Sequence, residues 1–252
     1  MLLFLLFTTL MKLIGSEETF TIPKLEKEIK AHVSDDVRKD SLLILLKDAE
    51  KETKSFYKIE DKNYSEIKKL MSDDINQSEE IKQIFKDNMQ KRIELQNYHI
   101  TKRLEMEKLI KPEEWVYILE NAVSPSDKIK EKTTKQDLKT KEAVKKVMDN
   151  TEESIQKEIE DEEKQKILID AFRSFKQSLG VLVKDGLRIN YETNEILKKQ
   201  YSSKEELRTV YDNQNRIRQN LASEFYQFYK VIHNQTDLKE RKAIRKELAK
   251  LF

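Results

Sequence analysis

Three histidines, His32, His99 and His233, are the side chains of this chain best suited to proton transfer near neutral pH or to metal ligation. They stand singly on highly charged stretches. Neither a His-x-x-x-His nor a Glu-x-x-His spacing occurs, either of which puts two ligands on one helical face, and there is no Gly-x-Ser-x-Gly elbow to present a nucleophile. The absence of cysteine excludes disulfides, thiolate metal sites and thiol nucleophiles. Asp and Glu number 47, so carboxylates close together in sequence carry no diagnostic weight. The residues thus assign no catalytic group, metal ligand, cofactor or small-molecule substrate, and the chain reads as a non-enzyme.

Side chains suited to binding are more evident. Trp115, Tyr117, Phe225, Tyr226, Phe228 and Tyr229 are more aromatics than one narrow helical seam accommodates. In Phe225-Tyr226-Gln227-Phe228-Tyr229, consecutive residues point to different sides of a helix, so the cluster faces a third element of the core, a second subunit or a client protein. Arg92 and Arg218 each fall on an apolar stripe; either their stems cover core while their heads reach water, or they contact a partner. These eight residues are the candidate partner-binding set.

The elements that position them are helices. Three Gly and three Pro in 252 residues leave little with which to build hairpins or phosphate loops, and the fold is expected to be all-α. Ile81, Ile84, Phe85, Met89, Leu95, Tyr98, Met106 and Leu109 recur at helical spacing from Glu79 onward. Pro112 lacks an amide hydrogen and fits a first turn, so that helix stops near Ile110 and another starts at Pro112-Glu113-Glu114. A partner helix is expected from about Lys24 to Lys58, broken near Ser34, followed by a separate short helix over Tyr64 to Met71. Ser72-Asp73-Asp74 and Asn76-Gln77-Ser78 supply the turn and cap for the long helix, and Ser202-Ser203 followed by Glu205-Glu206 starts another. Asp185-Gly186 reads as a helix end and turn.

Long antiparallel helical hairpins follow from this pattern, arranged as two tandem related units. Setting Glu80 against Glu206, a shift of 126 residues, matches Ile81 with Leu207, Ile84 with Val210, Phe85 with Tyr211, Arg92 with Arg218 and Leu95 with Leu221. The alternative is that two charged amphipathic helices align through periodicity alone. The units are expected over residues 17–122 and 151–252. The stretch 123–150 between them reads as a charged linker, since Lys128 to Lys146 holds eight lysines and three acids.

Residues 1–16 differ from the rest. Met1 to Met11 is an apolar run resembling the core of an export signal, with Gly15-Ser16 at a possible cleavage point. Helical residues over 1–14 cover only about 20 Å of a hydrocarbon core of roughly 30 Å, so the alternative is a short membrane anchor. Lys plus Arg, 49, nearly balances Asp plus Glu, which argues against a nucleic-acid partner.

Ile110-Lys111-Pro112-Glu113-Glu114-Trp115, following Arg103 to Leu109, resembles one of the Leu-Thr-x-x-Gln-like helix starts of Spy/CpxP-type periplasmic stress proteins, and Val33-Ser34-Asp35-Asp36-Val37-Arg38 resembles another. The resemblance covers Leu25 to Leu119 and, less closely, Ile155 to Leu248, and it implies an exported, ATP-independent chaperone or envelope-stress protein that holds clients on a concave helical face. The function expected is therefore a periplasmic or envelope-associated protein binder; the alternative is a membrane-tethered scaffold that self-assembles through its long helices.

Overall fold

The structure, a computed structural model, describes residues 25–72, 77–123, 145–197 and 199–248. Residues 1–16, the expected turn residues 73–76 and most of the charged stretch, 124–144, lie outside the described residues. Eight helices and no strand are present among the described residues, so the fold is all-α. They are α1 (Leu25–His32), α2 (Asp36–Ser72), α3 (Ser78–Leu109), α4 (Pro112–Val123), α5 (145–158), α6 (Glu162–Leu197), α7 (Lys204–Gln235) and α8 (Leu238–Leu248). No helix among the described residues is long and apolar enough to cross a membrane.

Short polar side chains set many of the boundaries. Asp35 accepts a hydrogen bond from the Arg38 amide at 2.8 Å and starts α2. Asp161 accepts from the Glu163 and Lys164 amides and starts α6. Ser203 and Glu206 form a reciprocal capping box at α7, where two expected polar residues perform the expected task. Asp237 and Glu240 bond each other's amides in the same way at α8. The side chain of Gln77 makes no capping bond, so α3 begins without the side-chain cap expected around residues 76–78. The restart at Pro112 is as the sequence predicts.

Two expected boundaries are corrected. The separate helix over Tyr64 to Met71 is the last part of a continuous 37-residue α2. Tyr64, Ile67 and Met71 keep one buried face in register with Phe56 and Glu60, and nothing interrupts that face. Likewise α6 runs through Gly180, Asp185 and Gly186 without ending. Leu182 and Ile189 are buried on either side of Asp185-Gly186, and a helical glycine costs only about 1 kcal/mol against that packing.

The long helices pack in order α2, α3, α7, α6, and each neighbouring pair is antiparallel. Between α2 and α3, Arg38 reaches Glu114 beyond the end of α3, Thr53 meets His99, Glu60 meets Arg92, and Asn63 meets Asn88. Between α6 and α7, Phe172 and Phe175 stack on Phe228. Between α3 and α7, Phe85 meets Phe225 and Gln96 meets Asn215. The expected first and second units are therefore joined along the length of α3 and α7. One apolar cluster is shared by the end of α2 and the start of α3 with α5, α6, α7 and α8; another is formed by α1, the start of α2, the end of α3 and α4. Val147 and Met148, expected in a linker, are buried in the shared cluster on α5.

Helix α3 touches helices on both sides and buries an unusual set of side chains. Asn88, Arg92, Gln96, His99, Arg103 and Glu107 are all buried, at steps of three or four residues that make one polar stripe along the helix.

Candidate functional site

Most of the buried polar stripe finds partners within the structure, while Asn88 Nδ2 is buried without a hydrogen-bond partner among the described residues. The Arg92 guanidinium donates to Glu60, which also accepts from the Tyr64 hydroxyl at 3.1 Å, and lies 4.8 Å from the Phe56 ring. Burial is the main reason that the Tyr64 phenol titrates well above its ordinary range, with the Glu60 charge adding to it. Gln96 and Asn215 exchange hydrogen bonds at 3.1 and 2.7 Å, and Asn215 also accepts from Arg218 at 3.3 Å. Arg103 stacks its guanidinium 4.2 Å from the Trp115 ring, donates to Glu107, and donates to the Lys199 carbonyl at 3.1 Å. Burial pulls the Arg103 pKa down against the raising effect of Glu107.

These contacts place most of the candidate partner-binding set in the interior, which for the aromatic cluster is the core alternative left open by the sequence. Arg92 and Arg218 are 3% and 2% exposed, so their heads are buried instead of reaching water or a partner. Trp115 is covered by Arg103, and Phe225, Phe228 and Tyr229 form the aromatic core between α3, α6 and α7. The physical reason is the position of α7, which has neighbours on two sides and so buries aromatics over much of its circumference. Tyr117 alone of the set is largely exposed, at 55%, with its ring stacked on His32 at 5.6 Å between centroids. Tyr226 is buried, but it also lines an open cavity.

That cavity, of about 470 Å³, is a groove between α3 and α7. Four rows of side chains build it. Phe85, Met89 and Ile93 form the floor on α3, at i, i+4 and i+8, and Ala222 and Tyr226 form it on α7 at i and i+4. Lys82, Lys86 and Gln90 make one rim with the same spacing, and Gln219, Ser223 and Gln227 make the other. The space exists because Ala222 and Ser223 place two small side chains together on a helix of large ones.

One end of the groove is tied by polar contacts. The Tyr226 hydroxyl donates to Glu79 at 2.5 Å, and this bond holds the Glu79 carboxyl below the usual carboxylate range while raising the phenol. The Lys82 ammonium lies 3.6 Å from Glu79 and 5.2 Å from the centroid of the Tyr226 ring. Lys86 is exposed and makes no ion pair among the described residues. No carboxylate is among the lining residues, although Asp and Glu are nearly as common as Lys and Arg in the chain.

Sequence reasoning identified Tyr226 but missed Lys82, Lys86, Gln219, Ala222, Ser223 and Gln227. The signal was present as two polar rows with a four-residue step flanking apolar positions, together with the small pair in α7. It becomes informative only once α3 and α7 are known to be neighbours. Among the described residues, no group of three or more His, Asp or Glu is placed to hold a metal ion. Comparison with protein families, with curated proteins and with solved structures finds no match to this chain.

Proposed function

We propose that the protein acts by binding other polypeptides, without catalysis, and that the groove between α3 and α7 is where it holds them. The observation that carries this reading is the groove: an apolar floor open to solvent and bounded by polar rims. A concave helical face with mixed apolar and charged character suits chaperone-like holding of clients, the role implied by the resemblance to Spy/CpxP-type proteins. Its location differs from that expected, because the aromatic cluster of α7 is spent on the core and only Tyr226 reaches the groove.

The envelope is the proposed location. Support comes from the apolar run Met1 to Met11, either as a cleaved export signal or as an anchor. Intact mass of the native protein from soluble periplasmic and membrane fractions separates the two: a chain shortened by about fifteen residues indicates cleavage, a full-length chain confined to membranes indicates tethering, and a full-length cytoplasmic chain overturns both.

Ser223 is exposed on the rim, so Ser223→Trp covers the groove without entering the core. At stoichiometric concentration the unaltered chain is expected to suppress aggregation of a heat-denatured client, measured by light scattering, and the variant is expected to lose that effect at unchanged helicity. Absence of suppression, or equal suppression by both chains, overturns the reading.

A further inference from the structure

We infer that the α3–α7 groove receives a single amphipathic α-helix of another protein, one that carries carboxylates along the flank of its apolar stripe facing α3. The inference rests on the binding reading above and specifies its partner. Both walls are α-helices whose backbone amides and carbonyls are bonded within their own helix, so they offer no ladder to an incoming chain. A guest in extended conformation would bring its own backbone groups into an apolar floor without partners. A helical guest satisfies them internally and presents only side chains.

The dimensions agree with that form of guest. Phe85 to Ile93 covers eight residue steps along α3, about 12 Å at 1.5 Å per step, which corresponds to roughly two turns of a guest helix. Such a helix meets the floor through apolar residues at i, i+3 or i+4, and i+7.

Charge fixes which flank is acidic. The α3 rim bears Lys82 and Lys86, and the α7 rim bears Gln219, Ser223 and Gln227, which are uncharged. Lys82 is shared with Glu79, whereas Lys86 is available to a guest carboxylate. A second copy of this chain is a poor occupant for the same reason. An isologous contact presents a patch to itself, and the lining offers lysine but no carboxylate, the neighbouring Glu79 being engaged by Tyr226 and Lys82. A nucleic acid is equally ill suited, because two lysines beside an apolar floor neutralise few phosphates.

The test uses the intact chain and three fluorescein-labelled synthetic peptides sharing one apolar stripe. One has Glu on a single flank, one has Lys there, and the third is the Glu peptide with a central proline that breaks its helix. Fluorescence anisotropy is expected to show the Glu peptide binding tightest, the Lys peptide roughly two- to fivefold weaker from the one exposed charge pair that Lys86 supplies, and the proline peptide not at all. Lys82→Glu/Lys86→Glu, both on exposed positions, is expected to reverse the preference between the first two peptides, and Ser223→Trp to weaken both.

Equal binding of the proline peptide overturns the helical guest. Equal binding of the Glu and Lys peptides, unchanged by the charge reversal, overturns the acidic flank. Two further results overturn the assigned occupant: a dimer of the intact chain by light scattering that Ser223→Trp dissolves, or binding to phosphatidylserine vesicles that the charge reversal removes while no peptide binds. If no peptide binds and Ser223→Trp still abolishes client protection, this inference fails and the binding reading stands. If Ser223→Trp leaves protection intact, the binding reading itself fails.

Discussion

Glu60 and Arg92 show what a buried charge requires in this molecule. Each has a side chain under a tenth exposed, and each depends on the other and on the groups around them, Tyr64 and the Phe56 ring. Removal of one partner leaves the other charged and desolvated. Arg92→Leu is therefore expected to destabilise the fold by about 3–5 kcal/mol in urea unfolding, while the double change with Glu60→Leu is expected to recover most of the loss. Arg38 and Glu114 form a different kind of pair, with Arg38 partly exposed and the contact bidentate at 2.7 and 2.8 Å, and the Lys111 amide adds a third bond at 2.9 Å. The Arg38 hydrogen bonds hold the Glu114 carboxyl below the usual carboxylate range. Its contribution to stability is thus complete above the ordinary carboxylate pKa and is lost as pH falls through that range toward the depressed folded value. Glu114→Gln is expected to flatten this acid limb, read as the urea midpoint against pH. Sequence alone located both arginines of the apolar stripe but not their fate. Whether a guanidinium reaches water depends on a second helix passing over it, and that neighbour is not encoded within the local window.

At the scale of elements, the legible features were those decided by a few adjacent atoms. Proline at 112 restarts a helix because of its own ring and missing amide, and Ser203 with Glu206 caps α7 through groups three residues apart. Asp185-Gly186 misleads because tertiary packing overrides the local preference and carries α6 through. Gly180 tests this view. It is exposed in mid-helix, and an added Cβ would meet nothing within 4 Å. Gly180→Ala is expected to raise stability by about 0.5–1 kcal/mol in urea or thermal unfolding, with no change in peptide or client binding. An unchanged or lowered stability would show that α6 is not a continuous helix at this point. The aromatic cluster of α7 was visible as an excess of large side chains, yet its burial became certain only from the placement of α3 and α6 on either side.

For the whole molecule, the main consequence is that the two predicted units are joined. The interface of α3 and α7 has an aromatic contact between Phe85 and Phe225 and the reciprocal amide pair of Gln96 and Asn215, and the same two helices form the groove on their open side. The proposed binding groove and the core packing therefore share the same two helices. The groove is expected to lie on a firm base, since Phe85 touches the core aromatic Phe225 while lining the cavity. Changes at the exposed rim residues should alter affinity with little effect on unfolding, whereas changes at Phe225 or Phe228 should unfold the chain before affinity can be read.

The polar stripe of α3 also bears on how such a charged sequence reaches one arrangement. Long helices covered in Lys and Glu can slide past each other by a turn and still find opposite charges, so surface pairing alone is nearly degenerate. Asn88, Arg92 and His99 meet three different complements on α2, an amide, a carboxylate and a hydroxyl, while Gln96 pairs with an amide of α7 and Arg103 with the indole ring of α4. Their order along α3 works as a written address. A shift of one turn would bring amide to carboxylate and guanidinium to hydroxyl, mismatching several sites at once, and only one alignment spells every pair correctly.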